Sequence, residues 1–326
     1  MTMDNASVAV DHAAPDEPKR DLKRVLAPVA LVLLGLVILL YPVIATQWNN
    51  AKQVRAAQEY SKIEQNTDPA KLSAAWESAH RYNAERASGP ILDPWLARIS
   101  EDNTDYRAYL AELDQQEAMA RLVVPAAKVD LPVYHGTSEK TLQRGVGHLY
   151  GTDLPVGGEG THAVLTAHTG LANATLFDNL KDVREGDAIY VAVAGQRLKY
   201  EVHATEVVLP EETDALAAVA DEDLITLVTC TPYGINTHRL LVTGHRVPMD
   251  PADEADLADS GPAWQWWMWA ILAGAALIIA WLVWWLRRML RAGGPGEAGG
   301  DDPADAPEDP GAGPAGDAAG PTGDPR

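Results

Sequence analysis

A thiol at the end of an apolar strand, beside a loop, is well placed to attack a carbonyl. Cys230, the single cysteine of the chain, occupies such a position. Leu224-Ile225-Thr226-Leu227-Val228-Thr229 leads into it as a strand, and Thr231-Pro232-Tyr233-Gly234 stops that strand. One cysteine excludes an intrachain disulfide and any metal site built on several thiolates. A lone Cys is often just a small buried apolar residue, so its partners decide its meaning. A nucleophilic thiol needs a group that controls its proton. His80, His135, His148, His162, His168, His203, His238 and His245 are candidates. His168 stands out because it ends the apolar run Ala163-Val164-Leu165-Thr166-Ala167 and precedes Thr169-Gly170, again a strand end beside a turn. Arg239, nine positions after Cys230 (239 − 230), opens the next strand. A loop returning antiparallel brings its cation beside the thiol, where an oxyanion would develop. His238, Glu206 and Asp223 leave a Cys-His-Asp triad open, since no spacing selects an acid. A thiol with neutral imidazole and an ion pair are both open as resting states.

Those residues need a sheet to hold them. From Ala120 the chain breaks into short apolar runs at 121–124, 129–133, 161–167, 188–193, 197–208, 224–229 and 240–246. Gly157-Gly158, Glu185-Gly186-Asp187 and Ala194-Gly195 punctuate them. About seven short strands predict a closed or nearly closed β-barrel over 120–248, with short helices expected at 171–180 and 213–220. Residues 47–87 read as helical, with a break at Thr67-Asp68-Pro69 where Pro starts a second helix. Leu209-Pro210-Glu211-Glu212-Thr213 lies within the barrel segment, leaving a strand and entering a short helix, and reads as a loop.

Outside the barrel, residues 25–45 carry no charge and are long enough to span a bilayer at about 1.5 Å per residue. Lys19, Arg20, Lys23 and Arg24 precede them. A cleaved signal peptide ending at Val43-Ile44-Ala45 is the alternative. A second apolar run, 264–286, has Trp264, Trp266, Trp267 and Trp269 at its start and Trp281, Trp284 and Trp285 at its end, the pattern of two interfacial belts. Arg287, Arg288 and Arg291 follow it, and Asp250, Asp253, Glu254, Asp256 and Asp259 lie in the linker at 249–263 that precedes it. Basic flanks before the first span and after the second put both termini, 1–24 and 287–326, in the cytoplasm and the intervening segment outside. The net charge of −20 argues against nucleic-acid binding. Part of it is local: residues 293–326 hold eight acidic residues and one basic one in a Gly/Pro/Ala-rich stretch expected to be a disordered tail. No cluster of oxygen ligands at a recognisable calcium spacing is present, and neither metal nor cofactor is expected.

Thr226-Leu227-Val228-Thr229-Cys230-Thr231-Pro232-Tyr233-Gly234-Ile235-Asn236-Thr237-His238-Arg239-Leu240-Leu241-Val242 resembles the TLxTC motif and following segment of the sortases, in particular the class C, pilus-assembling kind. Gly147-His148-Leu149, Leu154-Pro155-Val156-Gly157-Gly158 and Leu165-Thr166-Ala167-His168 resemble the segments leading to that family's catalytic His, and Leu131-Pro132-Val133-Tyr134 its first barrel strands. The resemblance covers about residues 90–248. It implies a mainly β fold: a sortase-like closed β-barrel of seven to eight strands with short inserted helices, an N-terminal helical and lid region at 46–119, and two flanking transmembrane helices. It further implies Cys230 as nucleophile, His168 as acid–base partner and Arg239 as the cation at the oxyanion. Leu92-Asp93-Pro94-Trp95 resembles the class C lid (about 90–97), implying that Asp93 pairs with Arg239 and that Trp95 covers Cys230. A plain helix start with a packed Trp is the alternative for that block. The implied chemistry is cleavage of an LPXTG-like signal between Thr and Gly through a Cys thioester, then transfer to an amine. Pilin subunits or other surface proteins carrying such signals would be the partners, and a pilin lysine the acceptor. A peptidoglycan amine as acceptor and a non-catalytic scaffold are the competing expectations.

Overall fold

The computed structural model describes residues 22–85, 91, 93–94, 103–257 and 261–291. Trp95, most of the segment expected as a lid, most of the N-terminal 24 residues and the acidic tail after Arg291 lie outside the described residues. The chain divides into two compact units at Ile278/Ile279. Of the second, only the remainder of the last helix is described.

Helix α1 (Leu22–Asn66) is continuous, although the sequence changes from apolar to polar near Thr46. Helix propensity spans both compositions, because Ala, Gln, Glu, Lys and Arg follow the Leu/Val-rich half without a breaker. The polar half buries Val54, Ala57 and Tyr60. Tyr60 Oη donates to the Met119 carbonyl and accepts from the Ala194 amide, and the Glu64 carboxylate accepts from the Gly195 amide. Helix α2 (Pro69–Glu85) starts at the expected break: Asp68 Oδ1 accepts from the Ala70 amide and Pro69 takes the first helical turn. A short α3 (Thr104–Ala111), capped by Asn103, lies within the helical region expected at 46–119.

Eight strands close into a barrel: β1 (Ala120–Val124), β2 (Val129–His135), β3 (Val146–His148), β4 (Thr161–Thr166), β5 (Ala188–Val193), β6 (Gln196–Val208), β7 (Asp223–Thr231) and β8 (His238–Val247). Around the barrel the order is β1-β2-β3-β4-β7-β8-β6-β5, and β5 pairs back onto β1. A short α4 (Glu139–Leu142) joins β2 to β3. Closure removes the exposed edges that an open sheet would present. Inward-facing Leu122, Val124, Leu131, Val133, Ala163, Leu165, Ile189, Val191, Ile225, Leu227, Leu240 and Val242 fill the interior as one core cluster. Strand alternation puts Val164, Val228 and Leu241 on the outer face, where they form a second cluster with Leu149 and Leu216.

Two expected helices are corrected. Residues 171–180 form successive turns, and only Leu180–Asp182 makes a 3₁₀ turn. Leu176 adopts φ 42°, which ends any helix there. Ala174, Leu176, Phe177 and Leu180 nonetheless bury their side chains in the core. The stretch at 213–220 contributes one 3₁₀ turn, Asp214–Leu216. Helix α5 (Trp266–Arg291) follows the barrel. Both α1, from Val25, and α5 are long and apolar enough to cross a membrane, and their apolar windows are largely unburied, unlike the core helix of a soluble protein.

Candidate active site

Strands β4 and β7 run parallel, with Thr166 opposite Val228. The pairing continues past the strand ends: the Ala167 amide donates to the Val228 carbonyl at 3.2 Å, and Thr229 Oγ1 donates to the Ala167 carbonyl at 2.8 Å. His168 and Cys230 each follow by two residues the paired Thr166 and Val228, at the same end of the two strands. Strands β7 and β8 are antiparallel and pair Cys230 directly with Arg239. By the two-residue period of a strand, Cys230 shares the outer face with Val228, and Arg239 with Leu241. Cys230, His168 and Arg239 therefore lie at three neighbouring strand ends, with Cys230 and Arg239 on the outer face of the barrel.

Arg239 Nη1 lies 3.5 Å from Cys230 Sγ and also donates to the His238 and Asn236 carbonyls. The other edge of the guanidinium is occupied by Asp93: Nε to Oδ2 at 2.6 Å and Nη2 to Oδ1 at 3.1 Å, a two-point fork. All three residues are buried, with Asp93 4 %, Cys230 8 % and Arg239 8 % exposed. Ile91, two residues before Asp93, packs on the outer-face cluster of Leu149, Val164, Val228 and Leu241. The segment carrying Asp93 is thus seated on the same sheet face that carries the thiol. Burial pushes the Cys230 thiol above its ordinary pKa, with Arg239 pulling it down and Asp93 pushing it up. The carboxylate also engages the guanidinium that would otherwise favour the thiolate.

The His168 ring is 14 % exposed, and its Nε2 lies 3.2 Å from Glu139 Oε2 at the start of α4. Glu139 was not singled out from sequence, since it lies 29 residues from His168 and only the folded chain brings them together. The remaining histidines divide clearly. His148 is buried between Tyr109 Oη and the Asp153 carbonyl, and His162 between Thr226 Oγ1 and the Ala217 carbonyl. His135 meets the Glu112 carbonyl, and His203 and His245 meet each other. His238 pairs with Thr231, one position out of phase with Cys230 and Arg239. Asp223 opens β7, seven residues from Cys230, or ~23 Å at about 3.3 Å per residue. It accepts instead from Tyr200 Oη and the Gly158 amide. Glu206 pairs with Leu241 on β6, one strand beyond β8.

The loops beyond these strand ends are also in contact. Gly170 (φ 77°) and Gly234 (φ 73°) approach so closely that a Cβ on Gly170 would lie 3.3 Å from the Gly234 amide nitrogen. Asp178 Oδ1 accepts from Thr169 Oγ1 and the Gly170 amide, which fixes the turn immediately after His168.

The family described as the sortase domain matches residues 122–247. Sortase C-1 from Actinomyces oris superposes with a TM-score of 0.54 at 57 % identity, covering 55 % of this chain and 99 % of that one. Sortase C from Streptococcus pneumoniae gives a TM-score of 0.55 at 39 % identity, covering 60 % and 97 %. Among curated relatives, Sortase A of Bacillus anthracis is 28 % identical over 137 residues, 42 % of this chain and 63 % of that protein, so the chain spans just under two thirds of that relative's length. This chain belongs to the sortase family, whose members are cysteine transpeptidases, and it stands with the class C sortases.

Proposed function

We propose that this chain is a membrane-anchored class C transpeptidase that polymerises pilin subunits on the outer cell surface, with Cys230 as nucleophile, His168 as acid–base partner and Arg239 as the oxyanion cation. The observation that carries this reading is the sulfur–guanidinium approach of 3.5 Å, with Asp93 gripping the far edge of the same guanidinium. An arginine aimed at a thiol is suited to stabilising negative charge that develops beside that thiol. A carboxylate on the same arginine suits a closed state that must open before substrate enters.

In the open state the Cys230 thiolate attacks the Thr carbonyl carbon of an LPXTG-like signal. The electron pair displaced onto the carbonyl oxygen is stabilised by Arg239. As the Thr–Gly C–N bond breaks, His168 gives its proton to the departing amine, leaving a thioester on Cys230. An incoming lysine amine attacks that thioester and loses a proton to His168. The thiolate leaves, and an isopeptide bond joins the two subunits. Each step is acid–base and acyl-transfer chemistry and requires no cofactor.

Two apolar helices flank the barrel, and their charged neighbours favour both termini inside the cell and the barrel outside. The unbroken course of α1 from its apolar half to the barrel-packed Tyr60 and Glu64 favours a retained anchor over a cleaved leader.

Cells or membranes carrying wild-type chain should convert a pilin bearing an LPXTG-like signal into ladders. Mass spectrometry should find Thr-to-Lys isopeptide bonds, and Cys230→Ala should abolish them. Ladders persisting with Cys230→Ala would end the enzymatic reading. Products joined only to a peptidoglycan amine would replace pilin polymerisation with cell-wall anchoring.

A further inference from the structure

The loop that leaves His168 runs along α1 just beyond its apolar half, nearest to it at Ala172. Asn50 Nδ2 donates to Thr175 Oγ1 at 2.8 Å, and the Thr175 amide returns a bond to Asn50 Oδ1. Asn49 Nδ2 donates to the Asn173 carbonyl at 2.8 Å, and Thr46 Oγ1 to the Ala172 carbonyl at 3.3 Å. Going from 175 back to 172, the partners move from 50 to 46, about one helical turn or ~6 Å closer to the apolar segment. Gln47, at the same level, donates to the Ala263 carbonyl and approaches Met268 Sδ, so the start of α5 reaches this level too. Trp48, Trp264, Trp266 and Trp269 are all exposed around it. Tryptophan gathers where bilayer meets water, since one part of the indole is apolar and its N–H needs a polar partner.

The β7–β8 loop joins this level through the Gly170–Gly234 approach. Flanking Gly234, Tyr233 is 58 % and Ile235 68 % exposed. Single exposed apolar side chains are ordinary on soluble proteins. Here two sit at one loop tip, against a segment pinned to the foot of both apolar helices.

We propose that Tyr233 and Ile235 form a lipid-contacting tip that seats the cleft edge on the outer bilayer surface, so that Cys230 meets a peptide as it emerges from the membrane. This rests on the membrane-anchored, outward-facing reading above. Its own content is that the β7–β8 loop touches lipid and that the catalytic edge, not another side of the barrel, faces the bilayer.

The test uses the full chain in lipid nanodiscs containing headgroup-proximal nitroxide lipids. Cys230→Ala removes the native thiol, and an environment-sensitive fluorophore is attached at Tyr233→Cys, Ile235→Cys, Trp48→Cys or Gln196→Cys. Gln196 adjoins Gly195, whose amide is held by Glu64, 18 residues (64 − 46) or ~27 Å along α1 from Thr46. Quenching at 233 and 235 should match that at 48 and exceed that at 196 severalfold. Quenching at 48 without quenching at 233 and 235 overturns the proposal while leaving the anchor intact. An unquenched label at 48 sinks the anchored reading and the proposal with it.

A second arm keeps Cys230 and combines Tyr233→Ser with Ile235→Ser. Turnover of a sorting signal embedded in the same bilayer through its own apolar tail should fall about tenfold, the scale expected when two apolar side chains lose part of their burial. Turnover of a short soluble peptide with the same motif should not change. Equal losses on both substrates would assign the two side chains to peptide binding and overturn the lipid contact.

Discussion

Replacing Asp93 with Ala should make Cys230 more reactive, and the geometry sets the scale. Arg239 divides its charge between a thiol at 3.5 Å and a carboxylate held at 2.6 and 3.1 Å. A thiolate forming there gains attraction from the guanidinium but meets repulsion from the carboxylate behind it. With ~7 Å between the two anions and an effective dielectric of about 20–40, Coulomb's law gives roughly 1–2 kcal/mol of repulsion. Removing it multiplies the thiolate population at neutral pH by about ten. A less basic thiolate is also a weaker nucleophile, with a Brønsted slope near 0.4–0.5, so the net gain in rate from charge alone is about threefold. Release of the segment held by Asp93 and Ile91 adds access to the thiol on top of this.

The assay is the pH dependence of alkylation of Cys230 by a small neutral thiol reagent, read by mass spectrometry, since no other cysteine competes. The sign is unambiguous. Burial and Asp93 hold the thiol above its ordinary range, so labelling of the wild type should rise late as pH increases. In Asp93→Ala the rise should begin at lower pH, with at least a threefold faster rate at pH 7. Asp93→Asn should show the charge component with less loss of shape. An unchanged profile in both variants would refute the argument that Asp93 controls this thiol.

Three further outcomes follow from the rest of the fold. Arg121 and Asp130 form a buried two-point ion pair between β1 and β2, with Arg121 also reaching Ser61 of α1. Asp130→Ala strands that cation and should cost about 3–5 kcal/mol in denaturant unfolding, whereas a loss under 1 kcal/mol would mean that water reaches the site. The Asp253 carboxyl is held down to about 2, chiefly by hydrogen bonds from Lys199. Its stabilisation of the segment after β8 is complete above the ordinary carboxylate pKa near 4 and is lost as pH falls toward about 2. Pepsin nicking near Leu257, normalised to an unfolded substrate, should therefore rise across that window, and Asp253→Asn should already be nicked at its upper edge. Glu139 is largely exposed where it meets His168, so Glu139→Ala should slow turnover no more than about fivefold. A hundredfold loss would make Glu139 an essential orienter of the imidazole.

The barrel was legible because its strands are short apolar runs bounded by turn residues. Residues 161–167, 188–193 and 224–229 are nearly continuous apolar stretches, buried on both faces of the sheet, and their ends are marked by Gly, Asp or Pro. Strand β3 escaped notice because three residues between Gly145 and Leu149 are too few for a period to register. The stretch at 171–180 misled because Leu171, Ala174, Leu176 and Leu180 have spacings a helix could use. Their burial is supplied by tertiary packing of turns, and the local breakers Gly170, Asn173 and Asn179 outweigh the pattern. The length of α1 was hidden for the opposite reason: its composition changes from apolar to polar near Thr46 while the helix continues. Asp93 and Arg239 are 146 residues apart, so no local signal could pair them. Only resemblance to a known motif suggested the meeting, and the same distance in sequence kept Glu139 from being linked to His168.

The topology explains why so few residues are needed at the site. Cys230 and His168 are 62 positions apart (230 − 168), yet parallel pairing of β4 and β7 sets Thr166, two residues before His168, opposite Val228, two residues before Cys230. Antiparallel pairing of β7 with β8 then returns the chain after a short turn, and the residue facing Cys230 is Arg239. Both registers are pinned by the core, because a slip of one residue would turn Leu227, Ile225, Leu240 and Val242 outward and carry the thiol inward. The packing energy of the barrel interior is therefore what fixes the outer-face geometry. Substitutions that weaken the core around Leu165, Leu227 and Val242 act on the same coordinates that the chemistry depends on, although none of these side chains lies on the face that carries the thiol.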